Sequence, residues 1–294
     1  MAAGTIFFWG ASFPLTKLAL QWAGPISIAF LRWMISSVLL IGWIAARRKL
    51  STAAGLLQKR GVRALWVALT GITLFYFLEN LALRYTTAIN AGVLSNLTTV
   101  FLVILGTLWL GERLTRTEAA AIAVAILGAT LVSQGSGHLS LTATGLKGDL
   151  MMILATLFAA LYSIGGKWLV AEYPADTVIA VVAGLGTVLL LPLALWEGLD
   201  LSLPIAAWGS LLLLGVGSGV LANLWWMQIL GYTSASRAGM ILLLIPVVST
   251  VIAVLLLGEA LQPAVLLGSL LVLAGVAIVE RQEAGLQSAS GSPG

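Results

Sequence analysis

The sequence predicts an all-α membrane protein: ten transmembrane helices arranged as two inverted five-helix repeats. Three observations carry that expectation. The 294-residue chain is 60% hydrophobic and only 9% charged, with a mean hydropathy of +1.06. A soluble domain carries roughly 25% charged residues. Charge-free runs such as Thr86 to Gly111, Leu201 to Ser236 and Ala238 to Gly258 are long enough to cross the bilayer, which takes about 20 apolar residues as helix. Finally, residues 85–114 recur at 232–261, offset by 147 positions, with 12 identities in 30 ungapped pairs. Tyr85-Thr86 meets Tyr232-Thr233, Ala91-Gly92 meets Ala238-Gly239, and Leu110-Gly111-Glu112 meets Leu257-Gly258-Glu259.

Lipid offers no partners to peptide groups, so the apolar runs must be helices or a closed barrel. They do not alternate with the period of two that barrel strands need. Spans are expected near 2–21, 26–46, 64–84, 88–110, 115–134, 146–170, 175–196, 206–231, 235–257 and 262–280. The first is expected to stay uncleaved, because no basic stretch precedes it and no small-residue cleavage pattern follows a short apolar run. Residues 1–137 form the first repeat and 146–283 the second. The connector, 138–145, follows the turn-rich stretch Gly135-Ser136-Gly137 and holds the single histidine, His138. The small, polar tail 284–294 is expected to be disordered.

Orientation follows from Lys and Arg. With the N-terminus cytoplasmic, Arg47, Arg48, Lys49, Lys59, Arg60, Arg63, Arg113, Arg116, Lys167, Arg237 and Arg281 lie inside. Only Arg84 and Lys147 lie outside, while Lys17 and Arg32 fall within spans. Eleven against two is a strong positive-inside bias. Both termini are therefore expected in the cytoplasm, with the protein in the plasma or inner membrane. Five spans per copy is odd, so the second copy enters upside down, as in many secondary transporters. Glu112 then belongs at the inner surface and Glu259 at the outer one. The net charge of +4 is this topological signal, so no nucleic-acid partner is expected.

The buried polar residues suggest the chemistry. Lys17 shares a helical face with Trp9, Ser12, Phe13 and Thr16. An ammonium at mid-depth costs ~2.5–3.5 kcal/mol on insertion scales, so it should face the bundle interior or water. It would bind a substrate carboxylate or else snorkel to a headgroup. In span three Tyr76, Glu79, Asn80 and Arg84 share a face. Glu79 is a proton-coupling candidate, against a structural pairing with Lys17 or Arg32. Asn96 in span four, Tyr162 and Ser163 in span six, and Asn223 and Trp226 in span eight are candidate cavity residues, against simple interhelical hydrogen bonding. Gly215 and Gly219 carry the G-x-x-x-G spacing of a close helix contact. Pro14 and Pro246 each remove a backbone donor and can kink their helices. Glu112 and Glu259 sit at helix ends, unfavourable places for an anion on dipole grounds, and are read as structural caps for the helix that follows each. Zero cysteines excludes disulfides and thiolate metal sites. The chain contains neither H-E-x-x-H nor G-x-S-x-G.

Several of these residues together resemble the EamA family of the drug/metabolite transporter superfamily. They are Trp9-Gly10-Ala11-Ser12-Phe13-Pro14 with Lys17, Arg32, the run Ala82 to Ala88, Pro246, and the two Leu-Gly-Glu ends. Thr99 stands where a second proline is common, and the family pattern supplies no acid at Glu79. The resemblance implies ten helices around a central cavity and movement of small metabolites, often outward, with spans five and ten peripheral. The expected protein is a secondary transporter of small polar metabolites such as amino acids. It is monomeric, has no cofactor or metal, and uses protons if Glu79 couples. A channel, or an intramembrane enzyme using Glu79 and Lys17, is the alternative.

Overall fold

The computed structural model describes residues 1–112, 115–135 and 143–259, together with positions 263, 266–268, 270, 271 and 274. Every regular element among these is helical: α1 (Ala2–Ala19), α2 (Pro25–Ala46), α3 (Leu50–Ala68), α4 (Phe75–Ala82), α5 (Ala88–Leu94), α6 (Leu97–Leu110), α7 (Arg116–Gly135), α8 (Ala143–Val170), α9 (Ala175–Glu197), α10 (Ile205–Leu213), α11 (Asn223–Tyr232), α12 (Ala235–Leu242) and α13 (Ile245–Leu257). Among the described residues, seven continuous segments are long and apolar enough to cross a membrane: Pro25–Ala46, Leu50–Ala82, Ala88–Leu110, Lys147–Val170, Ala175–Glu197, Ile205–Tyr232 and Ala235–Leu257. The chain is a multi-pass membrane protein. Helices α1 and α7 occupy the first and fifth expected spans. Most of the tenth, the 138–142 part of the connector, Arg281 and the tail lie outside the described residues.

Four spans differ from the simple cylinders expected. The third begins at Leu50, not near 64, because α3 starts as a surface helix and bends at Arg60, whose φ of −132° is non-helical. The third and eighth spans each contain a π-helical stretch, Leu69–Leu74 and Leu214–Ala222. Such widened turns are rare and gather at functional sites. The fourth and ninth spans each break in the middle. Pro246 opens α13, where its missing N–H costs nothing. It therefore marks the start of a half-helix and not a kink inside one. The fourth span breaks at the matching place without a proline. There Ser95 Oγ donates to Gly92 O at 2.6 Å, a side-chain bond of the kind that competes with the helix ladder.

The two broken spans lie antiparallel. Thr99 Oγ1 donates to Gly239 O at 2.7 Å, and Ser249 Oγ donates to Ala88 O at 3.2 Å. Their ends interlock. Gly111 and Gly258 adopt the left-handed conformation, φ +66° and +65°, which ends a helix at no side-chain cost. Each thereby turns the following glutamate back. Glu259 accepts from Ala88 N at 3.0 Å and Ile89 N at 3.1 Å. Glu112 accepts from Ala235 N at 2.7 Å, Ser236 N at 3.0 Å and Ser236 Oγ at 2.7 Å. Both glutamates cap helices, but not the helices that follow them: each caps the broken span of the other half. An anion at a helix N-terminus meets free N–H donors and the positive end of the dipole, which removes the dipole objection.

Helices α2 and α9 form the most extensive pairing and are pinned at both ends. Glu197 accepts from Ser27 N at 2.7 Å and Ile26 N at 3.2 Å, while Lys49 pairs with Asp176 at 2.5 Å. Next to α2 runs the Gly215–Gly219 stretch. Ser36 Oγ donates to Gly215 O at 2.8 Å, and a side chain at Gly219 would start 2.0 Å from Ser36 Oγ. The close contact expected of that spacing is made here, against α2. Pro14 is buried within α1, and the main contacts of α7 are with α5 and α6.

Gly219→Leu should therefore force α2 away and lower the thermal melting point in detergent sharply, by the cost of overpacking, about 1–3 kcal/mol or more. Gly209→Ala meets nothing within 4 Å and should leave the melt unchanged or slightly higher.

Candidate functional site

The cavity sits where the π-helical turns and the helix breaks converge. It has a volume of about 70 Å³, below the roughly 300–1,000 Å³ of drug-sized ligand sites. Nine of the residues expected around a site line it: Trp9, Ser12, Phe13, Tyr76, Glu79, Tyr162, Ser163, Asn223 and Trp226. Ser95, one of the polar positions that dot span four, lines it too, and Gly71, Phe75, Thr98, Ala159, Leu242 and Ile245, for which no sequence signal was found, complete the wall. These are small or apolar residues whose part depends on where the helices break.

The lining comes in matched pairs from the two halves. At the offset of 147, Tyr76 corresponds to Asn223, Glu79 to Trp226, Ser95 to Leu242 and Thr98 to Ile245. At an offset of 150 along α1 and α8, Trp9 corresponds to Ala159, Ser12 to Tyr162 and Phe13 to Ser163. Corresponding positions meet across one cavity, but their chemistry has diverged. Glu79 is the charged member of the lining, and the opposite half offers Trp226 in its place.

Hydrogen bonds fix the polar wall. Tyr162 Oη donates to Asn223 Oδ1 at 2.8 Å, and Asn223 Nδ2 donates to Ser218 O at 2.6 Å. Trp9 Nε1 donates to the same carbonyl at 3.3 Å, and Trp226 Nε1 donates to Ser163 Oγ at 3.1 Å. Phe75, Tyr76, Trp9 and Trp226 add rings, with Trp9 and Trp226 centred 5.4 Å apart. Behind the wall lies Arg32, fully buried. Its Nη2 donates to Ser218 Oγ, and its guanidinium lies 4.3 Å from the centre of the Tyr76 ring. Among the described residues, Nε and Nη1 of Arg32 and Oε2 of Glu79 have no hydrogen-bond partner. Among the described residues Arg32 and Glu79 form no ion pair with each other.

Three expected site residues lie elsewhere. Asn80 Nδ2 donates to Pro25 O at 2.9 Å and ties α4 to the start of α2. Asn96 is buried at the break in the fourth span but does not line the cavity. Lys17 does not line the cavity: its Nζ donates to Thr86 O beside the helix end that Glu259 caps. Lys167 repeats this at the other end, donating to Thr233 O, and to Leu230 O at 3.1 Å, beside the end capped by Glu112. In each case a carbonyl beside a capped helix start holds the lysine. His, Cys, Asp and Glu form no metal-holding group among the described residues.

A cavity enclosed by broken and π-widened helices in a multi-pass membrane protein is the architecture of a transporter. The profile of the EamA-like transporter family matches residues 1–134 and 146–281, and the chain belongs to that family. It is 30% identical over 279 residues to an uncharacterized transporter of Archaeoglobus fulgidus, covering 94% of each chain. It is also 30% identical to a probable terminal-alkyne amino-acid exporter of Streptantibioticus cattleyicolor, covering 99% of this chain and 95% of that one. A probable amino-acid metabolite efflux pump of Salmonella typhimurium is 26% identical, with 95% and 93% covered. One solved structure superposes with a TM-score of 0.76 over 97% of this chain and 99% of its own, at 19% identity. That likeness concerns the fold alone.

Tyr162→Phe should cost about 1 kcal/mol through the lost donation to Asn223. Trp226→Ala, which empties a fully buried site, should cost about 3–5 kcal/mol. Thermal melts of the purified variants should rank in that order.

Proposed function

We propose that the chain is a secondary carrier with ten spans in two inverted five-helix units, moving small polar metabolites such as amino acids outward by alternating access. The observation that carries this reading is the paired lining: positions related by the repeat offset meet across one cavity between the halves. The names of two relatives, an amino-acid exporter and an amino-acid metabolite efflux pump, support the substrate class and the direction. Both termini face the cytoplasm on the charge bias. The working unit is a single chain, because the duplication already supplies both halves of the site.

The mechanism follows from the interlocked ends. With Glu112 and Lys167 inside and Glu259 and Lys17 outside, each surface is closed by one glutamate and one lysine around a helix start. Opening a surface means parting its glutamate from the other half's helix. The broken spans and the close Gly215–Gly219 contact allow half-helices to tilt while the α2–α9 pairing stays pinned. Within the cavity, aromatic rings take the apolar part of the substrate and Asn223 and Ser163 its polar part. Glu79 takes a proton or a substrate ammonium. Protons are then the coupling partner.

Counterflow of a labelled metabolite panel in proteoliposomes tests the whole reading. Saturable exchange with at least one small polar metabolite is expected; unsaturated ion current or a chemical product instead would overturn it in favour of a channel or an enzyme. Glu79→Gln should abolish the pH dependence of flux while the protein still folds, and an unchanged pH dependence would remove Glu79 from coupling. Glu112→Gln and Glu259→Gln should shift cysteine-labelling accessibility in opposite directions, towards inward-open and outward-open respectively. Shifts in the same direction would contradict the assignment of the two ends.

A further inference from the structure

One feature of the first half has no counterpart in the second. Helix α3 bends at Arg60, and Lys59, Arg60 and Arg63 lie at that bend and on the turn after it. The corresponding eighth span starts at Ile205, after a 198–204 loop without Lys or Arg. Duplication therefore does not account for the basic turn. A groove of about 680 Å³ runs along it, floored by Trp66 and Trp168. Glu172 holds Arg60 Nε at 2.8 Å and lies 3.7 Å from Arg63 Nη1. Lys59 makes no ion pair among the described residues, so three cations face one carboxylate.

Below the cations the wall changes character. Trp66, Trp168 and Trp109 form a ladder, each ring centred 6.1 Å from the next at 24–27°. Arg63 lies 5.5 Å from the centre of the Trp168 ring. Beside the ladder, Val62, Leu65 and Leu69 present an exposed apolar face, Val62 being 87% exposed. Cations beside an aromatic and aliphatic surface match one class of molecule in both charge and polarity. A free phosphate would use only the upper part, and an acidic peptide would leave the ladder uncovered.

We propose that this groove is a binding site for one anionic phospholipid of the inner leaflet, with Lys59, Arg60 and Arg63 holding the headgroup phosphate and an acyl chain lying along Trp66, Trp168 and Trp109. Glu172 orients the two guanidinium groups and moderates the affinity. Bound lipid braces the α3 bend against the end of α8, next to the inner closure at Lys167. The site does not depend on what the central cavity carries.

The test uses the full chain in a neutral detergent, titrated with dioleoyl phosphatidylglycerol or dioleoyl phosphatidylcholine. Bound lipid is counted by native mass spectrometry and tryptophan emission is followed. One phosphatidylglycerol should be retained and phosphatidylcholine should not. Lys59→Gln with Arg63→Gln should weaken phosphatidylglycerol binding roughly thirty-fold, at about a factor of five per cation. Glu172→Gln should tighten it, a change that loss of structure would not produce. Arg47→Gln with Arg48→Gln, on the same surface but outside the groove, should leave it unchanged. Equal retention of both lipids by the unaltered protein would overturn the proposal. So would equal weakening by the Arg47/Arg48 pair, which indicates diffuse attraction, or displacement by millimolar inorganic phosphate, which indicates a phosphate site.

Discussion

Everything in this fold leans on the cost of leaving a helix start unsatisfied inside a bilayer. The first N–H groups of any helix have no partner within it, and lipid supplies none. Here the starts of α5 and α12 are satisfied by glutamates from the opposite half, Glu259 and Glu112. The same starts receive lysines on the preceding carbonyls, Lys17 on Thr86 and Lys167 on Thr233. The halves are thus joined by charge-assisted hydrogen bonds, which are stronger and more directional than apolar packing between lipid-like side chains. A contact of this kind has defined made and broken states.

The cavity owes its position to the same arrangement. Antiparallel broken spans bring their midpoints together, and the π-helical turns of the neighbouring spans widen the space beside them. Duplication placed equivalent positions opposite one another, and divergence then gave the wall its polarity. Glu79 facing Trp226 is the sharpest instance. A carboxyl side chain and an aromatic ring thus occupy equivalent positions of one wall, with a buried guanidinium behind it.

Much of this was legible in the chain. The apolar runs, the 147-residue offset and the charge bias are local or periodic properties, and nine residues singled out by helical face or by polarity within a span do surround one cavity. What escaped did so for one reason. Lys17 and Asn80 have faces that point inward, but a helical wheel cannot say whether an inward face meets a cavity or another helix. The Leu-Gly-Glu ends were recognisable as helix stops, yet the helix each glutamate caps lies more than 120 residues away in sequence.

The sequence by itself determined helices, their approximate ends, the duplicated segment and the glycines that stop the fourth and ninth spans, because hydrophobic length, left-handed turns and repeat identity are written in neighbouring residues. The tertiary structure alone decided which lysine is a tie and which carboxylate faces the cavity, and where the fourth span breaks without a proline. Those outcomes depend on which polar groups find partners across helices. That is settled by packing at long range and not by the local preference of any residue.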